Sequence, residues 1–189
     1  MTTLVFGHKS PDTDSTGSPL IWAWYLSEIK GTPAKAVLLG EPNTEAAFVI
    51  EKWGFDKPEI ITTVAAGQDV VIVDTNNPAE LPDAINDANI TAIIDHHKLV
   101  GGLFDLMGDD AAKMHDNIKG AMLSCILSDT LEFRSPTTTD VDKALATKLA
   151  SELNIDMAVY AAELFEAKSD VSEFSDAELI RMDSKEFTV

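Results

Sequence analysis

Three short stretches concentrate the residues that could do chemistry. Gly7-His8-Lys9-Ser10-Pro11-Asp12-Thr13-Asp14-Ser15 sets one imidazole close to two carboxylates, and Asp74-Thr75-Asn76-Asn77 adds a third carboxylate. Asp95-His96-His97-Lys98 brings two more imidazoles beside a fourth. Imidazole nitrogen and carboxylate oxygen are the donors that first-row divalent ions take, and a mixed set of this size suits two such ions better than one structural zinc. Taken singly, a strand-end aspartate is often only a turn or helix cap, and His96-His97 could be a satisfied buried pair. Three such clusters, each directly following an apolar run, argue jointly for a metal site. A further polar segment, Leu127-Ser128-Asp129-Thr130-Leu131-Glu132-Phe133-Arg134-Ser135-Pro136-Thr137-Thr138-Thr139, closes an apolar helix. Asp129 there opposes the helix dipole, whose C-terminal end favours cations. It either faces a metal or lies in a solvated turn. His115, in a charged helical stretch, reads as a surface residue.

The elements that must position these groups follow from apolar periodicity. Leu4-Val5-Phe6, Ala36-Val37-Leu38-Leu39, Val70-Val71-Ile72-Val73 and Ile90-Thr91-Ala92-Ile93-Ile94 predict buried strands, with helices over about 17–29 and 45–53 between them. Near-continuous apolar strands alternating with helices predict an α/β fold: a doubly wound, mainly parallel sheet with helices on both faces. From Asp110 the pattern turns helical, over roughly 111–127, 139–153, 156–167 and 176–182, with caps at Thr139-Asp140 and Ser175-Asp176. The catalytic domain is expected to span residues 1–182, and residues 183–189 to begin a linker. In a doubly wound sheet the ligand crevice lies beyond the carboxyl ends of the strands, where His8, Asp12, Asp14, Asp74, Asp95, His96 and His97 would gather.

Composition limits the partners. With 14 basic against 32 acidic residues the net charge is −18, which disfavours nucleic acid and acidic membranes. The same field repels any small polyanion unless metal ions locally invert it. No apolar run approaches the roughly 20 residues of a membrane span. A lone Cys125 excludes an intrachain disulfide and points to a reducing, cytoplasmic setting.

GHKSPDTDS, VIVDTNN, IIDHHKLVGG and LSDTLEFRSPTTTD together resemble the signature blocks of the family II, manganese-dependent inorganic pyrophosphatases of the DHH phosphoesterase superfamily. The resemblance runs from Val5 to the end of the chain. It implies hydrolysis of pyrophosphate to two phosphates with two manganese ions per chain, cobalt or magnesium being possible substitutes. It implies one ion held by His8, Asp12 and Asp74, and a second held by Asp14, Asp74, His96 and Asp129, with Asp74 bridging. His97 would then donate to the phosphate, Asp95 would orient a neighbouring imidazole, and Lys98 and Arg134 would contact substrate. Family members carry a C-terminal domain whose Lys and Arg residues grip the substrate, and they pair as homodimers. Here that domain is expected to be absent, and a segment after Leu103 to be missing. Two rivals stay open: a DHH phosphodiesterase on short oligonucleotides or cyclic dinucleotides, and a catalytically silent metal-binding domain.

Overall fold

The computed structural model describes residues 1–95, 107–136 and 138–169. Strands β1 (Thr3–Phe6), β2 (Ala34–Leu38), β3 (Glu59–Ile60), β4 (Asp69–Val73) and β5 (Asn89–Ile94) pair in parallel in the order β3-β2-β1-β4-β5. The β-branched run Val70-Val71-Ile72-Val73 suits this central position, because a parallel strand covered on both faces needs no polar alternation. Its side chains divide between two cores. Val71 and Val73 join Val5 on one face, while Val70 and Ile72 join Phe6 and Val37 on the other.

The chain winds outward from β1 through β2 to β3, then returns to the other side of β1 for β4 and β5. Because parallel crossovers are right-handed, reversing the winding sends the connections to opposite faces. One face carries α1 (Thr13–Trp24), which continues as a π turn over Tyr25–Ile29, and α2 (Thr44–Lys52). The other is closed by two short 3-10 helices, Pro78–Glu80 and Asp83–Asp87, with Leu81 and Ile85 over Phe6 and Ile72. The doubly wound sheet expected from the sequence is therefore present, and among the described residues its second layer is 3-10 rather than α-helical.

After a 3-10 turn at Gly108–Lys113, helices α3 (Asp116–Asp129), α4 (Asp140–Glu152) and α5 (Met157–Ser169) add to the first layer. Two boundaries differ from the periodicity. Helix α1 starts at Thr13 rather than near Gly17, because the Asp12 carboxylate caps it by accepting from the Ser15 backbone N–H. The stretch 111–127 is not one helix, since Met114 turns extended at ψ 132° and α3 begins afresh at Asp116. The Thr139 cap is a full capping box with Asp142. The helix expected over 176–182 and the boundary after 182 lie outside the described residues. No helix among the described residues is long and apolar enough to cross a membrane.

Helices α2, α3 and α5 meet around Trp53. Its single indole N–H is shared between the Tyr160 hydroxyl at 2.9 Å and Ser124 Oγ at 3.3 Å, which anchors that edge of the ring to α5 and α3. A Cβ on Gly120 would lie 2.2 Å from that ring. Gly120→Ala would gain about 1 kcal/mol of helix propensity. Overpacking against an anchored ring costs about 1–3 kcal/mol or more, and at such a distance the clash wins. The variant is expected to lose on the order of 1–2 kcal/mol net in denaturant unfolding, from the same two terms. Unchanged or raised stability would show that the indole yields.

Candidate metal centre

Beyond the carboxyl ends of β1 and β4, where the winding reverses, the two following segments diverge and leave a crevice. His8 follows β1 and Asp74 follows β4. His8 Nε2 lies 3.5 Å from Asp74 Oδ2 and 3.6 Å from Asp12 Oδ1. One donor atom from each of His8, Asp12 and Asp74 falls within 4.8 Å of the other two.

Local chemistry fixes this grouping. The His8 N–H donates to Ser15 Oγ at 2.8 Å, and the Ser15 N–H donates to Asp12 Oδ1 at 3.1 Å, tying the end of β1 to the first turn of α1. Gly7 permits that approach, since a Cβ there would sit 2.0 Å from Ser15 Oγ. Asp74 adopts a left-handed backbone, φ 59°, while its N–H still pairs with the Ile94 carbonyl at 2.9 Å. Aspartate is among the few non-glycine residues that tolerate this conformation, at a cost of about 1–3 kcal/mol. Its carboxylate is buried, only 4% of the residue being exposed.

The electrostatics favour a cation. Burial pushes the His8 imidazole down, but the hydrogen bond to Asp12 and the charges of Asp12, Asp74 and Asp14 more than offset it, so its pKa is raised. Burial pushes Asp12 up, yet its contacts with His8 and Asp14, the His8 charge and the Ser15 N–H bring it down to about 2. Both shifts stabilise positive charge among the carboxylates. One imidazole with several carboxylates is also a donor mixture that first-row divalent ions accept.

A cavity adjoins this group and is lined by Asp14, Asp74, Asp95, Asp129, Cys125 and Thr130, among others. Asp74 thus borders both sets of ligands expected from the sequence. Asp95 is buried and accepts from Asn76 Nδ2 at 2.5 Å. Asp129 is the last residue of α3 and reaches the cavity from the helical layer. His96, His97 and Lys98, like the segment after Leu103, lie outside the described residues. Arg134 sits on the exposed turn after α3. Its guanidinium is 3.4 Å from Glu132, lies 5.5 Å from the centre of the Phe165 ring, and donates through Nε to the Leu131 carbonyl. His115 is exposed, as expected. Ser15 and Asn76 were not singled out by the sequence, although each sits one or two residues from a candidate ligand.

The model of the DHH family, N-terminal domain, matches residues 2–151. A Listeria monocytogenes serotype 4b protein named as a probable manganese-dependent inorganic pyrophosphatase is 37% identical over 207 residues, covering 99% of this chain and 67% of its own length. A protein of the same name from Lactobacillus delbrueckii subsp. bulgaricus is 34% identical, covering 97% of this chain and 65% of its own. A Methanococcus jannaschii crystal structure assigned to the family II inorganic pyrophosphatases superposes with a TM-score of 0.84 at 33% identity, over 96% of this chain and 66% of that one. The chain thus spans about two thirds of the length of these relatives. The Listeria match, at 207 residues, is longer than this whole chain of 189, so that relative carries residues which this chain lacks within the matched region.

Asp74→Asn tests the shared position of this carboxylate, because asparagine keeps its shape and tolerates the left-handed backbone. Manganese affinity at both positions should fall about tenfold or more, as read by calorimetry, since one carboxylate would serve both. Retention of two tightly bound ions would contradict the bridging role.

Proposed function

The chain belongs to the DHH family and, within it, to the manganese-dependent inorganic pyrophosphatases, and on that footing we propose that it hydrolyses inorganic pyrophosphate to two phosphates. The observation that carries this reading is Asp74, buried at the reversal of the sheet and shared between the His8–Asp12 group and the cavity of Asp14 and Asp129. His8, Asp12 and Asp74 would hold one manganese ion; Asp14, Asp74, His96 and Asp129 would hold the second. Manganese, when bound, supplies positive charge against the phosphoryl oxygens and acidifies water at the centre.

The chain's own residues then have separate tasks. Asp74 and the Ser15-anchored His8 and Asp12 hold the centre rigid, which matters because phosphoryl transfer depends on positioning and charge stabilisation. His97 would donate a hydrogen bond to a phosphate oxygen, and Asp95, held by Asn76, would orient a neighbouring imidazole. Lys98 and Arg134 would draw the polyanion in. Arg134 now faces Glu132 at 3.4 Å in an exposed pair, which holds it only weakly.

Few cations remain for substrate on a chain of net charge −18. We therefore assign most of the substrate grip to Lys and Arg residues in the third of the relatives' length that this chain does not span. Residues 1–189 alone should bind manganese yet turn pyrophosphate over about 10³-fold or more slowly than the chain joined to such a region, by analogy with arginine-finger losses. Phosphate release from pyrophosphate and from a cyclic dinucleotide, with manganese and after chelation, tests the assignment. Preferential dinucleotide cleavage would favour a phosphodiesterase. No turnover even with the additional region would leave only a metal-binding domain. Full turnover by residues 1–189 alone would overturn the division between metal and grip.

A further inference from the structure

Glu45, in the first turn of α2, is fully buried, an unusual position for a carboxylate that no chemistry assigned so far requires. Its Oε2 accepts from Ser128 Oγ at 3.1 Å and lies 3.1 Å from Lys168 Nζ on α5. Its Oε1 is buried with no hydrogen-bond partner among the described residues. An apolar side chain of similar length would fill the space without the desolvation that a buried carboxylate suffers. The positive end of α2 offsets part of that cost. The remainder is spent on a directed contact, and Ser128 immediately precedes Asp129.

The same segment also touches the other half of the centre. The Asn43 N–H donates to the Pro11 carbonyl at 2.9 Å, just ahead of Asp12. A Cβ on Gly40 would lie 2.6 Å from the Lys9 carbonyl, so the loop before α2 runs directly against the loop after β1. The start of α2 therefore spans from the His8–Asp12 side to the end of α3. The α3 end is held locally by the Glu132 N–H on the Leu127 carbonyl at 2.9 Å and by Thr130 Oγ1 on the Ile126 carbonyl at 2.6 Å, and the Glu45 contact ties that turn to α2. Asp129 occupies the negative pole of its helix, and the chain then reverses through three left-handed residues, Leu131, Glu132 and Phe133, at φ 49°, 53° and 66°.

We propose that Glu45 is a positioning residue for the metal centre: acting through Ser128, it fixes the last turn of α3 so that Asp129 is presented to the cavity beside Asp14 and Asp74. The proposal rests on the reading of Asp129 as a ligand.

The experiment is a double-mutant cycle on the 189-residue chain, reading manganese affinity and stoichiometry by calorimetry and the metal-free unfolding midpoint by circular dichroism. Ser128→Ala removes the link while leaving Glu45 and Lys168 paired. It should weaken one of the two ions, the one assigned to Asp14, Asp74 and Asp129, about tenfold or more, as loss of a ligand-orienting contact does, with the metal-free midpoint little changed. In an Asp129→Asn background the same change should cost about twofold or less, because its target is gone; this limit is set against the same tenfold reference. Glu45→Gln, which keeps an acceptor for Ser128, should stay close to the parent, whereas Glu45→Ala should follow Ser128→Ala. Equal losses from Ser128→Ala in both backgrounds, or no loss in the parent, would overturn the positioning role. Unchanged binding in Asp129→Asn alone would instead remove Asp129 from the ligand set, and the positioning role with it.

Discussion

Crowding of like charge at the ends of β1 and β4 is the constraint on which the rest of the structure turns. Asp12, Asp14 and Asp74 converge around His8, and Asp14 and Asp74 share a cavity with Asp95 and Asp129. Two unit charges about 4 Å apart interact by about 4 kcal/mol at the effective dielectric of a protein surface, so several ionised carboxylates would spread if free to move. The backbone does not let them. The Asp12 cap, the Ser15 bridge to His8 and the left-handed Asp74 each set one group by local geometry. A bound cation would convert that repulsion into attraction.

The sheet supplies the frame for this confinement. A single reversal of winding places the ends of β1 and β4 side by side while sending their following segments to different layers. The crevice needs no dedicated architecture beyond that reversal. Register then decides which atoms meet: Val5 stands opposite Val71 and Phe6 opposite Ile72, so His8 and Asp74 leave the sheet at matched heights. A one-residue slip of β4 would exchange its two core faces as well as displace Asp74.

Most of the strands and helices were legible in the sequence because apolar runs and caps are local signals. Val70–Val73 could hardly be anything but a buried strand, and Thr139 announced its helix. The early start of α1 was hidden because Asp12 serves as cap and candidate ligand at once, and polar residues at 13–16 mask the periodicity. The break at Met114 has no glycine or proline to mark it. At the site, strand-end His and Asp residues were readable by type and place, and the structure brings His8, Asp12 and Asp74 within coordinating reach. Ser15, Asn76 and Glu45 were not readable, because what distinguishes them is a partner distant in sequence or folded onto them. Only the packing of α2 against α3 and α5 gives Glu45 its surroundings.

Most of the residues that break local rules lie near one crevice, the left-handed Asn154 after α4 being an ordinary helix-end residue. Asp74 takes a backbone that most side chains avoid, Asp129 sits at the wrong pole of its helix, and Leu131 to Phe133 run left-handed without glycine. Glu45 holds a fully buried carboxylate on a helix that packs into the core. A sequence selected for stability alone would relax each of these, and they could be relaxed independently, since they lie on different elements. Asp74 just after β4, Glu45 at the start of α2 and the turn from Asp129 to Phe133 lie on separate elements that meet beside one crevice, the pattern expected of a functional site. Fixed positive charge in that crevice would offset the dipole opposition at Asp129 and the burial of Asp74, whereas Glu45 has its own counter-charge in Lys168. A metal centre there would supply a cause for the left-handed Asp74 and the misplaced Asp129 that packing and propensity alone do not.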